Sequence, residues 1–261
     1  MTATAVLKHD GLTALLAAQR YLPDDPDANF NFCRALRTIA RYIPANAAAI
    51  VAQGGLTALL AAYRANLGRV GNLTCEALFH IARSSPANAT AVLTHGGLAA
   101  LLESQRVKTK SVEVNCWICE TLYHLAESSA ANAAAVVAQG GLEALLAAQR
   151  AHTGNVEVNH WFCAALRQLV KNNAATAAAI VAQGGLEALL SAQRAHSKVL
   201  TINSCFMTAL LHISLASPPQ RAAIKARRAL VVVRELMRQY PTNDDIQSAG
   251  RQLLGQKFLD S

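Results

Sequence analysis

The chain repeats itself about every 44 residues, and no other feature narrows the choice of fold so far. Residues 47–64 and 177–194 differ only at Thr57/Glu187, Ala61/Ser191 and Tyr63/Gln193. A Gly-Gly pair recurs at Gly54-Gly55, Gly96-Gly97, Gly140-Gly141 and Gly184-Gly185, at spacings of 42, 44 and 44 residues. The grid extends both ways. Gly11-Leu12 lies 44 residues before Gly55-Leu56. Ile224 and Leu230 lie 44 residues after Ile180 and Leu186, with Arg228-Ala229 in place of the glycine pair. One arginine marks each repeat: Arg20, Arg64, Arg106, Arg150, Arg194 and Arg238. Six repeats result, at about 1–43, 44–86, 87–130, 131–174, 175–218 and 219–258. The second is two residues short, and the loss is assigned to a loop carrying Gly68 and Gly71.

Each repeat reads as three helices. A short one such as Asn132–Gln139 ends at the Gly-Gly, where glycine tolerates the backbone that stops a helix and turns the chain. A second, Leu142–Arg150, carries leucines at 142, 145 and 146. Its Arg150 sits in the last turn, where a cation suits the helix dipole. A polar loop, His152–Asn155, leads to a third helix at about Val158–Lys171. No segment alternates with the period of a strand. One repeat cannot bury its apolar face alone, but stacked neighbours can. The first and sixth repeats should be atypical. In the first, only Thr2–His9 supplies the short helix. The sixth is the most basic, with Arg221, Lys225, Arg227, Arg228, Arg234 and Arg238, and reads as a polar cap.

Composition agrees. Hydrophobic residues make up 52% of the 261 and charged residues only 15%, with much of the apolar share in alanine, the best helix former. No apolar run reaches the roughly 18 uncharged residues of a membrane span. Met1–Asp10 has neither a basic start nor an apolar stretch, and residue 2 is threonine, so no secretory or myristoylation signal is expected. The expected location is the cytosol, or the nucleus. A net charge of +8 favours acidic partners of any kind.

The short helix, the Gly-Gly-Leu turn and the long third helix ending in Ala-Leu-x-x-Ile-Ala resemble the armadillo repeat. Gly54-Gly55-Leu56 with Ala77-Leu78-Phe79-His80-Ile81-Ala82 carries the resemblance, which covers about Met1 to Gly255. It implies an all-α, right-handed superhelical solenoid of about six three-helix repeats in a single domain. It also implies a non-enzymatic scaffold or adaptor, holding an extended peptide or partner helix along a groove of third helices.

The third helices align column by column. Leu36, Leu78, Leu122, Leu166 and Leu210, with Ile39, Ile81, Leu125, Leu169 and Ile213, lie on one helix side and form the core. The opposite side is then the groove. Its central column is Arg34, Glu76, Glu120, Ala164 and Thr208, and four residues on come Thr38, His80, His124, Gln168 and His212. Import adaptors of the armadillo family place tryptophan and then asparagine at these two positions. No repeat here does, so binding of nuclear import signals is not carried over.

What remains is a graded groove. Arg34, Arg37, Arg41 and Arg83 make one end basic, while Glu76, Glu120 and Glu127 lie at the middle. Trp117, Tyr123 and Trp161 lie near them and suit an interface. The partner is expected to set acidic groups against the basic end. Near Trp117, Trp161 and Glu120 it should present apolar groups with a basic residue. Asn29, Asn115, Asn159 and Asn203 form a further column at the third-helix start. They either cap the helix or bond a bound peptide backbone.

Other constellations carry less chemistry. Cys33, Cys75, Cys119 and Cys163 share one column, too widely spaced for disulfides and expected to be buried apolar residues. Cys116 and Cys119 form Cys-x-x-Cys without the strand a redox site wants or a second zinc-ligand pair. Glu76/His80 and Glu120/His124 stand at i, i+4, where the carboxylate would raise the histidine pKa. No phosphate loop or nucleophile–base pair is present. The expectation is therefore no enzyme, no cofactor, no metal, and a monomer that binds protein. Two alternatives are nucleic-acid binding by basic helical repeats and a purely structural spacer role within a larger protein.

Overall fold

A computed structural model describes residues 10–42, 44–171 and 174–255. Among these residues all regular structure is helical. The short segment 2–9 lies outside them. The chain divides into two compact units, Met1–Asn132 and Ala133–Ser261.

The first unit runs α1 (Gly11–Tyr21), α2 (Pro26–Tyr42), α3 (Pro44–Ala52), α4 (Gly55–Ala65), α5 (Leu67–Ser84), α6 (Pro86–Thr94), α7 (Gly97–Val107) and α8 (Val112–Ser128). Like packs on like: α1 on α4 on α7, α3 on α6, and α2 on α5 on α8. The unit boundary falls inside α9 (Ala130–Ala138). The second unit continues with α10 (Gly141–Ala151), α11 (Val156–Val170), α12 (Ala174–Ala182), α13 (Gly185–Ala195), α14 (Leu200–Ala216), α15 (Pro218–Ala226), α16 (Ala229–Gln239) and α17 (Asp244–Gly255). There α10 packs on α13, α12 on α15, and α11 on α14 on α17.

The two leucine/isoleucine columns of the third helices are buried throughout, from Leu36 and Ile39 to Leu210 and Ile213. The third helix of the sixth repeat, α17, is a short one that the sequence pattern does not announce.

The two glycines of each turn do different work. The first holds a left-handed backbone, with φ of +80° at Gly54, +85° at Gly96, +89° at Gly140 and +85° at Gly184. The second begins the next helix and needs space. A Cβ on Gly97 would lie 2.7 Å from the Val92 carbonyl oxygen, and on Gly55 2.9 Å from that of Ile50. The paired helices therefore meet at sharp bends, 79° between α3 and α4 and 74° between α12 and α13. Arg228 holds the same left-handed backbone, φ +55°, without the freedom of glycine. The arginine column closes the last turn of α1, α4, α7, α10, α13 and α16, as the dipole reading expects.

Repeat two corrects one expectation. Gly68 and Gly71 are not in a loop; both lie within α5, and Asn66 alone joins α4 to α5. Elsewhere, helix ends differ from those expected by one or two residues.

Substitutions test the turn. Gly97→Ala should destabilise by about 2–3 kcal/mol through overlap with a backbone oxygen. Gly96→Ala should cost about 1–2 kcal/mol of left-handed strain, and Arg228→Gly should stabilise by a similar amount. Urea midpoints of the three variants give this order, with Arg228→Gly alone above the wild type.

Candidate functional site

The starts of the third helices set what these helices display. Asn115 donates through Nδ2 to Thr109 O (3.1 Å) and Ser111 O (2.8 Å). Asn159 donates to His152 O, Thr153 O and Asn155 O at 2.9, 3.0 and 2.8 Å. Asn203 donates to Ser197 O at 2.8 Å, and Asn29 to Pro23 O at 2.7 Å. All four side chains are buried. They clamp the carbonyls of the loop before the helix, so Asn115, Asn159 and Asn203 are removed from the expected partner-binding face. Nor are they the caps. Ser111 and Asn155 cap α8 and α11, accepting from Val114 N and Val158 N.

The clamp has a second half. Gln105 Nε2 donates to Asn115 Oδ1 (2.8 Å), and Gln193 Nε2 to Asn203 Oδ1 (3.4 Å). Repeat two changes both members together. Tyr63 replaces the glutamine and Gly71 the asparagine, where the loop to be clamped has been shortened away. The Tyr63 hydroxyl donates instead to Ala100 O (2.9 Å) and accepts from Ser104 (3.0 Å). In repeat six Gln247 occupies the asparagine position and donates to Met237 O and Tyr240 O.

On the first unit, α2, α5 and α8 form one face. Arg34, Arg41 and Arg83 are exposed there, Arg37 half-buried. Glu76 and His80 are not open groove residues as expected, since they retain 8% and 7% exposure. The Glu76 carboxylate faces Arg37 (3.3 Å), Arg41 (3.7 Å) and His80 (3.5 Å). It offsets charge at the basic end and ties α2 to α5. Four guanidiniums lie over rings: Arg34 and Arg69 over Phe30 at 5.8 and 5.2 Å, Arg41 over Tyr42 at 5.8 Å, and Arg83 over Phe79 at 5.2 Å. Arg69 also pairs with Asp27. The sequence reading passed over these seats, although Phe30/Arg34 and Phe79/Arg83 stand at i, i+4.

Trp117, Glu120, Tyr123 and His124 are half-buried on α8. Tyr123 donates to Glu127 Oε1 (2.8 Å), and His124 Nδ1 lies 3.6 Å from Glu127 Oε2. Between the C-terminal ends of α5 and α8 opens a cavity of about 230 Å³, lined by Arg83, Ser85, Pro86, His124 and Glu127 among others.

On the second unit, Trp161 is half-buried beside His160, with ring centroids 5.0 Å apart. Gln168, expected to line the groove, is buried, as is Ala164. Thr208 and His212 are half-buried on α14.

The histidine expectation is reversed. Burial pushes His80 below its ordinary value of 6.5, and the nearby Glu76 does not offset it. Burial does the same at His124, against Glu127, and at His160 and His212, where Arg167 adds to the effect. The six cysteines are free and buried, and burial raises the Cys33 thiol to about 12. Among the described residues no cluster of histidine, cysteine and carboxylate could hold a metal, and no single helix is long and apolar enough to cross a membrane.

No family model and no curated protein matches the chain. Solved structures do. A crystal structure of an engineered protein aligns over 94% of this chain and 95% of its own, with TM-score 0.78 and 22% identity. Another engineered protein covers 97% of this chain and 59% of its own at TM-score 0.83 and 22% identity. A designed armadillo repeat protein covers 94% and 97% at TM-score 0.74 and 16% identity. The chain therefore has the armadillo-like helical-repeat fold.

Two outcomes follow from the geometry. Asn159→Ala removes three buried amide hydrogen bonds to the loop carbonyls and should destabilise by about 2–3 kcal/mol in urea melts. The depressed histidines mean that the unfolded chain binds more protons just below pH 6.5. Stability should thus be full above pH 6.5 and fall as pH drops below it. An NMR titration should place the His80 midpoint under 6.5; a midpoint above it would restore the ion-pair reading.

Proposed function

We propose that the α2/α5/α8 face of the first unit is a docking surface for an acidic segment of another protein. The carrying observation is the set of ring-seated guanidiniums. Arg34 and Arg83 are exposed, and each is held over a phenylalanine of its own helix. Seating lowers the entropy lost when a guanidinium grips a carboxylate, and guanidinium–carboxylate forks are strong and directional. Glu76 engages Arg37 and Arg41, so recognition centres on Arg34 and Arg83 rather than on all four arginines. Trp117 and Tyr123 on α8 of the same face supply contact area. The cavity next to Arg83 and His124 accommodates an anchoring side chain. Trp161 offers similar contact area on the second unit. Such binding fits a scaffold or adaptor without catalysis, in the cytosol or nucleus.

Selection from a random peptide library displayed on phage tests this. Selected peptides should be rich in Asp and Glu with one bulky apolar residue. Arg34→Gln with Arg83→Gln should weaken them by about 10- to 100-fold, the loss of charge-assisted bonds. Trp117→Ala should weaken them without unfolding the chain. Peptides that bind both variants as they bind the wild type would contradict the assignment.

A further inference from the structure

The sixth repeat departs from the others in one direction. Against its equivalents 44 residues earlier, Ala177 becomes Arg221, Val181 becomes Lys225, Gln183 becomes Arg227, Gly184 becomes Arg228 and Leu190 becomes Arg234. Ser191 becomes Glu235, the one acidic change among these columns. A polar cap would be served by either sign, so polarity does not explain five cations.

Arg228 is the informative one. It takes the left-handed backbone that glycine takes in four other turns. That strain costs about 1–2 kcal/mol and glycine would remove it. A strained residue retained at the surface points to a use for its side chain.

The cations lie on two helices that pack on each other. Arg234 and Arg238 stand four residues, about 6 Å, apart on α16, and Arg227 and Arg228 form the turn before it. Arg221 and Lys225 stand four apart on α15. Arg227 pairs with Glu187, and Arg221 donates to Ser214 O. Lys225, Arg228, Arg234 and Arg238 are exposed and make no ion pair among the described residues. Amides at the end of α16 and after it are engaged. Gln239 donates to Ser197 O and the Tyr240 hydroxyl, Asn243 accepts from Ile246 N, and Gln247 holds Met237 O and Tyr240 O. Tyr240 bonds Asn203 as well. What these residues offer a ligand is charge, mostly from guanidiniums, which match phosphate oxygens in pairs.

From this surface we infer that the sixth repeat binds the phosphate backbone of nucleic acid, independently of base sequence. It belongs to the second unit and shares no helix with the acidic-segment face, so either site can be present without the other. An acidic protein segment is the competing ligand and would need only the same charges.

The test measures fluorescence anisotropy of a short labelled DNA duplex and of labelled poly-glutamate with the full chain. The duplex should bind with micromolar Kd at 50 mM salt and lose about 10²-fold by 200 mM, as about four phosphate contacts require. The triple variant Lys225→Gln, Arg228→Gly, Arg234→Gln should weaken duplex binding at least about tenfold. Its circular dichroism should match the wild type. Arg34→Gln with Arg83→Gln should leave duplex binding unchanged. Three results overturn the inference: no duplex binding at about 100 μM protein, a triple variant that binds like the wild type, or poly-glutamate bound as tightly as the duplex.

Discussion

A backbone oxygen pressed against the start of the next helix governs this molecule. At Ile50, Val92 and Ile180 the carbonyl oxygen leaves no room for a side chain on Gly55, Gly97 or Gly185. That close approach, with the left-handed glycine before it, sets a bend of 71–79° between first and second helices. The bend lets each helix type stack on its own kind within a unit. Stacking then buries the leucine and isoleucine columns that no single repeat could hide.

A second constraint acts at the other turn. The loop before each third helix exposes carbonyls to a buried environment, where unpaired acceptors are costly. One amide answers them, a buried Asn in most repeats and a half-buried Gln247 in the sixth. Repeat two loses the loop and the amide together. With loops clamped, the third helices present side chains at fixed positions. On the first unit these include arginines seated on phenylalanines of α2 and α5 and a half-buried tryptophan on α8.

Periodicity made the helices, the turns and the core columns legible, because glycine and leucine mark positions where local geometry decides. The display face was legible only in part. Asn115, Asn159 and Asn203 look like surface amides in a column and are loop clamps, because their role depends on carbonyls that a linear pattern does not show. Glu76 and His80 look like an exposed i, i+4 pair. Yet Arg37 and Arg41 of the neighbouring helix close over Glu76 and change its environment. The i, i+4 pairs Phe30/Arg34 and Phe79/Arg83 were present in the sequence, and their importance emerged once both arginines were seen to be exposed.

The account's central claim is that loop clamping frees the third-helix face for a partner while removing the asparagines from it. Chemical-shift mapping on the isotope-labelled chain, with an acidic peptide from the library bound, measures this directly. The account predicts shifts at the Arg34 and Arg83 guanidiniums and the Trp117 indole, with the side-chain amides of Asn115, Asn159 and Asn203 unmoved. Shifts concentrated at those amides, with the arginines and Trp117 silent, would contradict it.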